Sequence, residues 1–181
     1  ESGIKIMPSS LSIKELKRTK PERLKDFKKD FKKIADHIIV DCAAGLGHEA
    51  SCAIGLADEL IIVTNPEMPA ITDALKTVKL AEQLKKPVIG IIVTRVKKDE
   101  IELQPEVVRD MLECSILGMV PEDDAVRRSI NAKNAVVHTH PKSNAARAYK
   151  EIAAKLLNIK YDSDKDKENV LKRISNWLGF K

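Results

Sequence analysis

The sequence predicts an α/β fold: a doubly wound, mostly parallel sheet flanked by helices, followed by a C-terminal amphipathic helix. Three observations predict it. Five short runs rich in Ile, Val and Leu punctuate the chain, and they are continuously apolar rather than alternating, as strands buried on both faces are. Helically spaced apolar residues fill the intervals, which is the alternation that builds βαβ units. The 181 residues suffice for one domain with a substantial core.

The first predicted strand is Ile4 to Met7. Pro21 then opens a helix in which Leu24, Phe27, Phe31 and Ile34 recur three and four residues apart. A second strand, Ile38 to Asp41, leads through a glycine-rich turn to a helix over Glu49 to Ala57. The third strand, Leu60 to Thr64, precedes a helix over Ala70 to Leu84. The fourth, Val88 to Thr94, precedes a helix over Pro105 to Leu112. The fifth, Ile116 to Val120, is followed by helices over Ala125 to Ala132 and Asn144 to Leu157. The run Tyr161 to Lys167, YDSDKDK, has nothing to bury and reads as a tether.

Beyond the tether, Val170, Leu171, Ile174, Trp177 and Leu178 fall on one helical face, and Phe180 extends its apolar end. Lys172 and Arg173 reach the opposite side. Such a helix either packs on its own domain or lies in a lipid interface. The terminal position, the tether and the Trp favour lipid. The expected organisation is therefore a domain over residues 1–160, a charged tether over 161–167 and an amphipathic membrane-targeting helix over 168–181.

Bulk composition excludes several functions. Aromatics make up 3% of the chain, too few for a surface that stacks single-stranded nucleic acid. The net charge of +5 permits attraction to anionic lipid or nucleic acid without choosing between them. Much of the excess lies between Lys14 and Lys33, where it reads as a solvated helix face. Cys42, Cys52 and Cys114 form no C-x-x-C pair and read as reduced, packing cysteines. His138 and His140, with His48, are the candidate metal ligands among the histidines, but no carboxylate or cysteine stands at ligand spacing beside them. No signal peptide is visible, and no apolar run approaches the roughly 20 residues that a membrane span needs.

Ligands of open α/β sheets sit beyond the carboxyl ends of the strands. The segment Asp41-Cys42-Ala43-Ala44-Gly45-Leu46-Gly47 places an acid at a strand end and glycines in the loop that follows. An acid there either holds magnesium through its water shell or caps the next turn. The glycines either admit a phosphate close to the backbone or serve the turn's geometry.

With four further segments, this one resembles the deviant Walker-A ATPases of the MinD/ParA family, and the MinD branch most closely. Asp41 to Gly47 is similar to the family's D-x-P-A-G switch loop. Val63-Thr64-Asn65-Pro66-Glu67 is similar to its T-x-P-E segment, Thr94-Arg95 to its N/T-R motif, and Val120-Pro121-Glu122-Asp123 to its I/V-P-E-D motif. Ile4 to Ser10 resembles a family strand followed by a P-S/T-S turn. Two departures stand out: Ala43 replaces the usual proline, and Thr94 stands where asparagine is frequent.

The resemblance implies an ATP-dependent, magnesium-requiring ATPase that dimerises and switches on and off the inner face of the cell membrane. Asp41 would be the Walker-B acid in the magnesium shell, and Gly45 would belong to the γ-phosphate switch loop. Thr94, Arg95, Pro121, Glu122 and Asp123 would form the adenine and ribose end. Expected partners are an anionic membrane surface, a second copy of the chain and an activating or cargo protein, in division-site placement or another spatial role. A ParA-like partition ATPase bound to DNA is the alternative, as is an interaction module without nucleotide. An iron–sulfur carrier of the related scaffold would want a C-x-x-C pair. The sequence contains no G-K-G-G-x-G-K-S/T phosphate loop, which the family places ahead of the strand at Ile4. The chain is thus expected to be the C-terminal two-thirds of a longer ATPase, inactive by itself.

Overall fold

An apolar run becomes a strand only where neighbouring backbone completes its ladder, and the first two predicted strands illustrate this. In the computed structural model, which describes residues 4–8, 23, 26–42, 45–97 and 99–161, neither Ile4 to Met7 nor Ile38 to Asp41 forms a strand. Ile6 is 80% exposed and Ile39 is 92% exposed. Among the described residues no strand pairs with either run. Without a partner, an extended segment leaves its N–H and C=O groups to water.

The chain divides into two units, the first reaching Ala57 and the second running from Asp58 to Asp164. The first carries α1 (Lys28–Ile34) and α2 (His48–Leu56). Helix α1 buries no residue; its register is held by the Phe27 and Phe31 rings, 6.4 Å apart, and by a Lys33–Asp30 ion pair. Helix α2 has Gly47 as its N-cap and buries Ala50, Cys52, Ile54 and Leu56.

The second unit is built on β1 (Leu60–Thr64), β2 (Val88–Val96) and β3 (Ile116–Pro121), all parallel in the order β1-β2-β3. Helix α3 (Met68–Gln83) connects β1 to β2, and α4 (Pro105–Leu112) connects β2 to β3. Pro69 and Pro105 stand in the first turns of these helices, where a missing N–H costs nothing. Ile71, Ala74 and Val78 of α3 and Val108 and Leu112 of α4 meet Ile62, Ile91 and Val93 in one core cluster. Fully burying each such aliphatic side chain contributes about 1.5–3 kcal/mol.

After β3 come α5 (Asp124–Asn131), α6 (Val136–Thr139) and α7 (Asn144–Leu156). Ala145 and Ile152 of α7 pack with Val120 and Ile92 on the sheet's other face, and Ala125, Val136 and Ala146 knit the three helices together. Gly118 of β3 makes this fit possible, because a Cβ there would collide with the Ile152 side chain. Helices thus cover both faces of a parallel sheet, the doubly wound arrangement that the sequence predicts. The final helix, 168–181, lies outside the described residues. No described helix is long and apolar enough to cross a membrane.

Candidate functional site

In the second unit, three strand ends come together at the carboxyl edge of the sheet. Thr94 near the end of β2 turns its hydroxyl back, and Oγ1 donates to the Thr64 carbonyl at 3.1 Å. Arg95 adopts φ +59°, a left-handed conformation that costs a non-glycine residue about 1 kcal/mol or more. The β2–β3 register is broken between Val93 and Val96 and resumes with Val96 opposite Pro121. Such a bulge beside a ligand site re-aims a side chain. Arg95 Nε donates to Glu122 Oε2 at 3.2 Å, while the Glu122 amide donates to the Val96 carbonyl at 2.9 Å. Strands β2 and β3 are therefore joined at their tips by backbone and side chain together. The ion pair is largely exposed and contributes only about 0–1 kcal/mol, so its role is to orient rather than to stabilise.

Asp123 joins two helices. Its Oδ1 accepts from the Ala125 amide at 2.9 Å, capping α5, and its Oδ2 accepts from the Ala145 amide at 3.1 Å, in the first turn of α7. The Ala125 amide first and the Ala145 amide second hold its carboxyl below the ordinary range against the opposing cost of burial, with lesser help from the Asn144 amide and His140. With both oxygens occupied by amides, Asp123 fixes the Pro121–Glu122 turn. The turn's other carboxylate, Glu122, is the one that reaches Arg95.

One residue here is absent from the sequence-based site. Asn65 follows β1 directly, and its Oδ1 is buried without a hydrogen-bond partner among the described residues. An orphaned acceptor of this kind costs about 1–3 kcal/mol, which a bound N–H donor would relieve. Its place in the T-x-P-E segment was the only available signal. Nearby is a cavity of about 240 Å³, smaller than a drug-sized ligand requires, lined by apolar side chains such as Pro66, Val93 and Met119 together with Asp99, Glu102 and Gln104. The loop over it is pinned by the Leu103 amide on the Pro66 carbonyl at 3.0 Å. It is further held by the Lys97 amide on Glu102 Oε1 at 2.8 Å.

The first unit holds Asp41 and Gly45. Asp41 is exposed; its charge, second to burial, pushes the adjacent Cys42 thiol up. Gly45 has φ +95°, and a Cβ there would meet nothing within 4 Å, so glycine serves the backbone conformation rather than a lack of space. Ala43 and Ala44 lie outside the described residues, as do Val170, Leu171, Lys172, Arg173, Ile174, Trp177, Leu178 and Phe180.

Cys42, Cys52, His48 and His140 make local polar contacts. Cys52 Sγ lies 3.6 Å from His48 Nε2, and Cys42 Sγ lies 4.0 Å from the Ala50 carbonyl. Burial, with Glu82 and Glu113 nearby, pushes the Cys114 thiol up. His140 Nδ1 is 3.0 Å from the Thr139 hydroxyl and 3.3 Å from that of Ser129. Among the described residues no group of three or more His, Cys, Asp or Glu side chains is arranged to hold a metal.

Residues 21–170 match the family model of 4Fe-4S iron–sulfur cluster binding proteins, NifH/frxC family. An uncharacterised ATP-binding protein of Methanocaldococcus jannaschii is 38% identical over 97% of this chain and 67% of its own length. The cell-division ATPase MinD of Pyrococcus furiosus superposes with a TM-score of 0.77 at 27% identity, over 82% of this chain and 63% of that one. MinD from Pyrococcus horikoshii, solved with Mg-ADP, superposes with a TM-score of 0.76 at 28% identity, over 81% and 60%. The chain therefore spans three-fifths to two-thirds of the length of these proteins. Cys42, Cys52 and Cys114 join no group of three or more metal-ligating side chains among the described residues.

Proposed function

Because the chain belongs to the NifH/frxC family, and within it to the MinD-like P-loop ATPases, we propose that it forms most of an ATP-dependent, dimerising switch. The switch docks reversibly on the inner face of the cell membrane and positions a partner protein, with division-site placement as its process. The observation that carries the nucleotide reading is the joined set of strand ends in the second unit. There a left-handed Arg95, braced on Glu122, and a buried, unsatisfied Asn65 acceptor stand at the carboxyl edge of a parallel sheet.

On this reading Thr94, Arg95, Pro121 and Glu122 frame the base and ribose, and Asp123 holds their turn in place. In the first unit Asp41 presents an exposed carboxylate to the water shell of magnesium, which would neutralise phosphate charge when bound. Gly45 gives the switch loop a backbone conformation closed to other residues. Residues 1–160 serve as the nucleotide domain, 161–167 as the tether and 168–181 as the membrane helix.

The lysine-bearing phosphate loop is not among these residues. Calorimetry should therefore show weak ATP binding by this chain and no turnover. Joining a segment that carries the loop ahead of Glu1 should restore both. In the joined protein Asp41→Asn should lower magnesium-dependent turnover by about 10²-fold or more, the usual effect of removing a group that stabilises developing charge. Tight ATP binding by the chain alone would contradict the place assigned to the missing loop, and unimpaired turnover in Asp41→Asn would contradict the role of Asp41.

A further inference from the structure

Charge is unevenly divided between the two helical layers. From Met68 to Ser115, the stretch containing α3 and α4, eight Lys and Arg face eight Asp and Glu. Several of these are paired, as Lys76 is with Asp73 and Lys79 with Glu82. From Asp124 to Lys160, the stretch containing α5 to α7, there are eight Lys and Arg but only two acids, Asp124 and Glu151, a net of +6. Three of the eight are engaged: Arg127 lies 3.7 Å from Asp124, Lys150 is buried with Nζ donating to the Pro141 carbonyl, and Lys155 donates to the Leu117 carbonyl. Arg128, Lys133, Lys142, Arg147 and Lys160 are exposed and form no ion pair among the described residues. Within the second unit this layer concentrates the positive charge, while the Lys14 to Lys33 stretch carries a comparable excess in the first.

Unpaired cations repel one another and destabilise the compact state, and their concentration on one layer points to an anionic partner. Two features select a lipid surface over nucleic acid. Ile130 stands 67% exposed on α5, between Arg128 and Lys133 in the sequence, and an apolar side chain among cations suits the boundary between headgroups and acyl chains rather than a phosphodiester backbone. The layer also leads along the chain, a few residues after α7, into the tether and the basic amphipathic segment ending in Trp177 and Phe180.

We propose that the exposed side of α5 to α7 is an electrostatic contact surface for an anionic bilayer, acting together with the tail. The proposal rests on the membrane-switch reading and deepens it: the tail inserts, and the layer confers preference for anionic lipid and sets the salt dependence. Each cation near such a surface strengthens binding roughly fivefold.

The test uses the full chain and vesicles of phosphatidylcholine, alone or mixed equally with phosphatidylglycerol, with Trp177 fluorescence and co-sedimentation as readouts. The triple variant Arg128→Gln, Lys142→Gln, Arg147→Gln should bind mixed vesicles about a hundredfold more weakly, with a shallower salt dependence and unchanged binding to neutral vesicles. Its thermal unfolding should match the parent, since all three side chains are exposed. Ile174→Glu tests the tail separately. If the triple variant binds as the parent does while Ile174→Glu loses binding, the layer is not a contact and the proposal fails, leaving the membrane switch intact. If the parent binds no vesicle, both fail. If duplex DNA displaces vesicles from the parent and the triple variant loses DNA, the partner is nucleic acid and the lipid assignment is overturned.

Discussion

Asp123→Ala removes a carboxylate that serves two helices at once, and the cost can be worked from the geometry. Losing a side-chain N-cap costs about 0.5–2 kcal/mol. Here the Ala125 amide loses its acceptor at 2.9 Å and the Ala145 amide loses its acceptor at 3.1 Å. Water reaches this site, which puts the combined loss at about 2–3 kcal/mol rather than the larger sum of two buried charged bonds. For a domain of roughly 100 residues that lowers the melting temperature by about 10 °C. Asp123→Asn keeps one acceptor oxygen and loses the charge, so it should fall about halfway.

The pH dependence follows from the sign of the shift. The folded carboxyl titrates below its unfolded value, so its stabilisation is complete above the unfolded pKa of about 3.8 and is lost as pH falls through the folded one. Melting curves by circular dichroism at neutral pH and in acid would measure both effects. The gap between parent and Asp123→Ala should be full at neutral pH and should shrink below about pH 4. A variant melting within about a degree of the parent, or a gap that persists unchanged into acid, would refute the double cap.

Two further variants probe the sheet. Gly118→Ala places a Cβ against Ile152 and should destabilise by about 1–3 kcal/mol in urea titrations, through overpacking under α7; a neutral result would mean that α7 sits further from β3. Arg95→Gly relieves the left-handed backbone but removes the contact with Glu122, so stability should change by less than about 1 kcal/mol. In the protein carrying the phosphate loop, nucleotide affinity should nonetheless fall. An unchanged nucleotide titration would remove Arg95 from the site.

Within the second unit the fold was legible because each signal was local. Leu60–Thr64 is a single apolar run, and Pro105–Leu112 begins on a proline that tolerates only a first turn. Strand β2 extends two residues past Thr94, because the left-handed Arg95 lets pairing resume at Val96, and backbone conformation of that kind leaves no mark on hydropathy. Ile38 to Asp41 misled because an apolar run shows what a segment could bury, not whether a neighbour is there to pair with it. The candidate site was legible as a set of strand ends, but its hydrogen-bond partners were not. The double cap of Asp123 was not legible, because nothing in the P-E-D motif reveals an amide at Ala145, 22 residues further on. Asn65 went unnoticed because an unsatisfied acceptor is a property of its surroundings, not of its neighbours in sequence.

The position of β1 has a practical consequence for anyone handling the protein. It is an edge of its sheet among the described residues, bonded to β2 alone. Natural edge strands are blunted by lysine, proline or a bulge that turns them away. The sequence of β1, LIIVT, carries no charge and no proline, and Val63 is 63% exposed. The strand's register against β2 is irregular between Leu60 and Ile61, but the uncharged apolar run beyond that point can recruit a further strand from another chain, at a rate that rises with concentration. Aged or concentrated stocks should therefore drift toward assemblies held by backbone pairing, and the age of a sample becomes a variable in every measurement of its affinity.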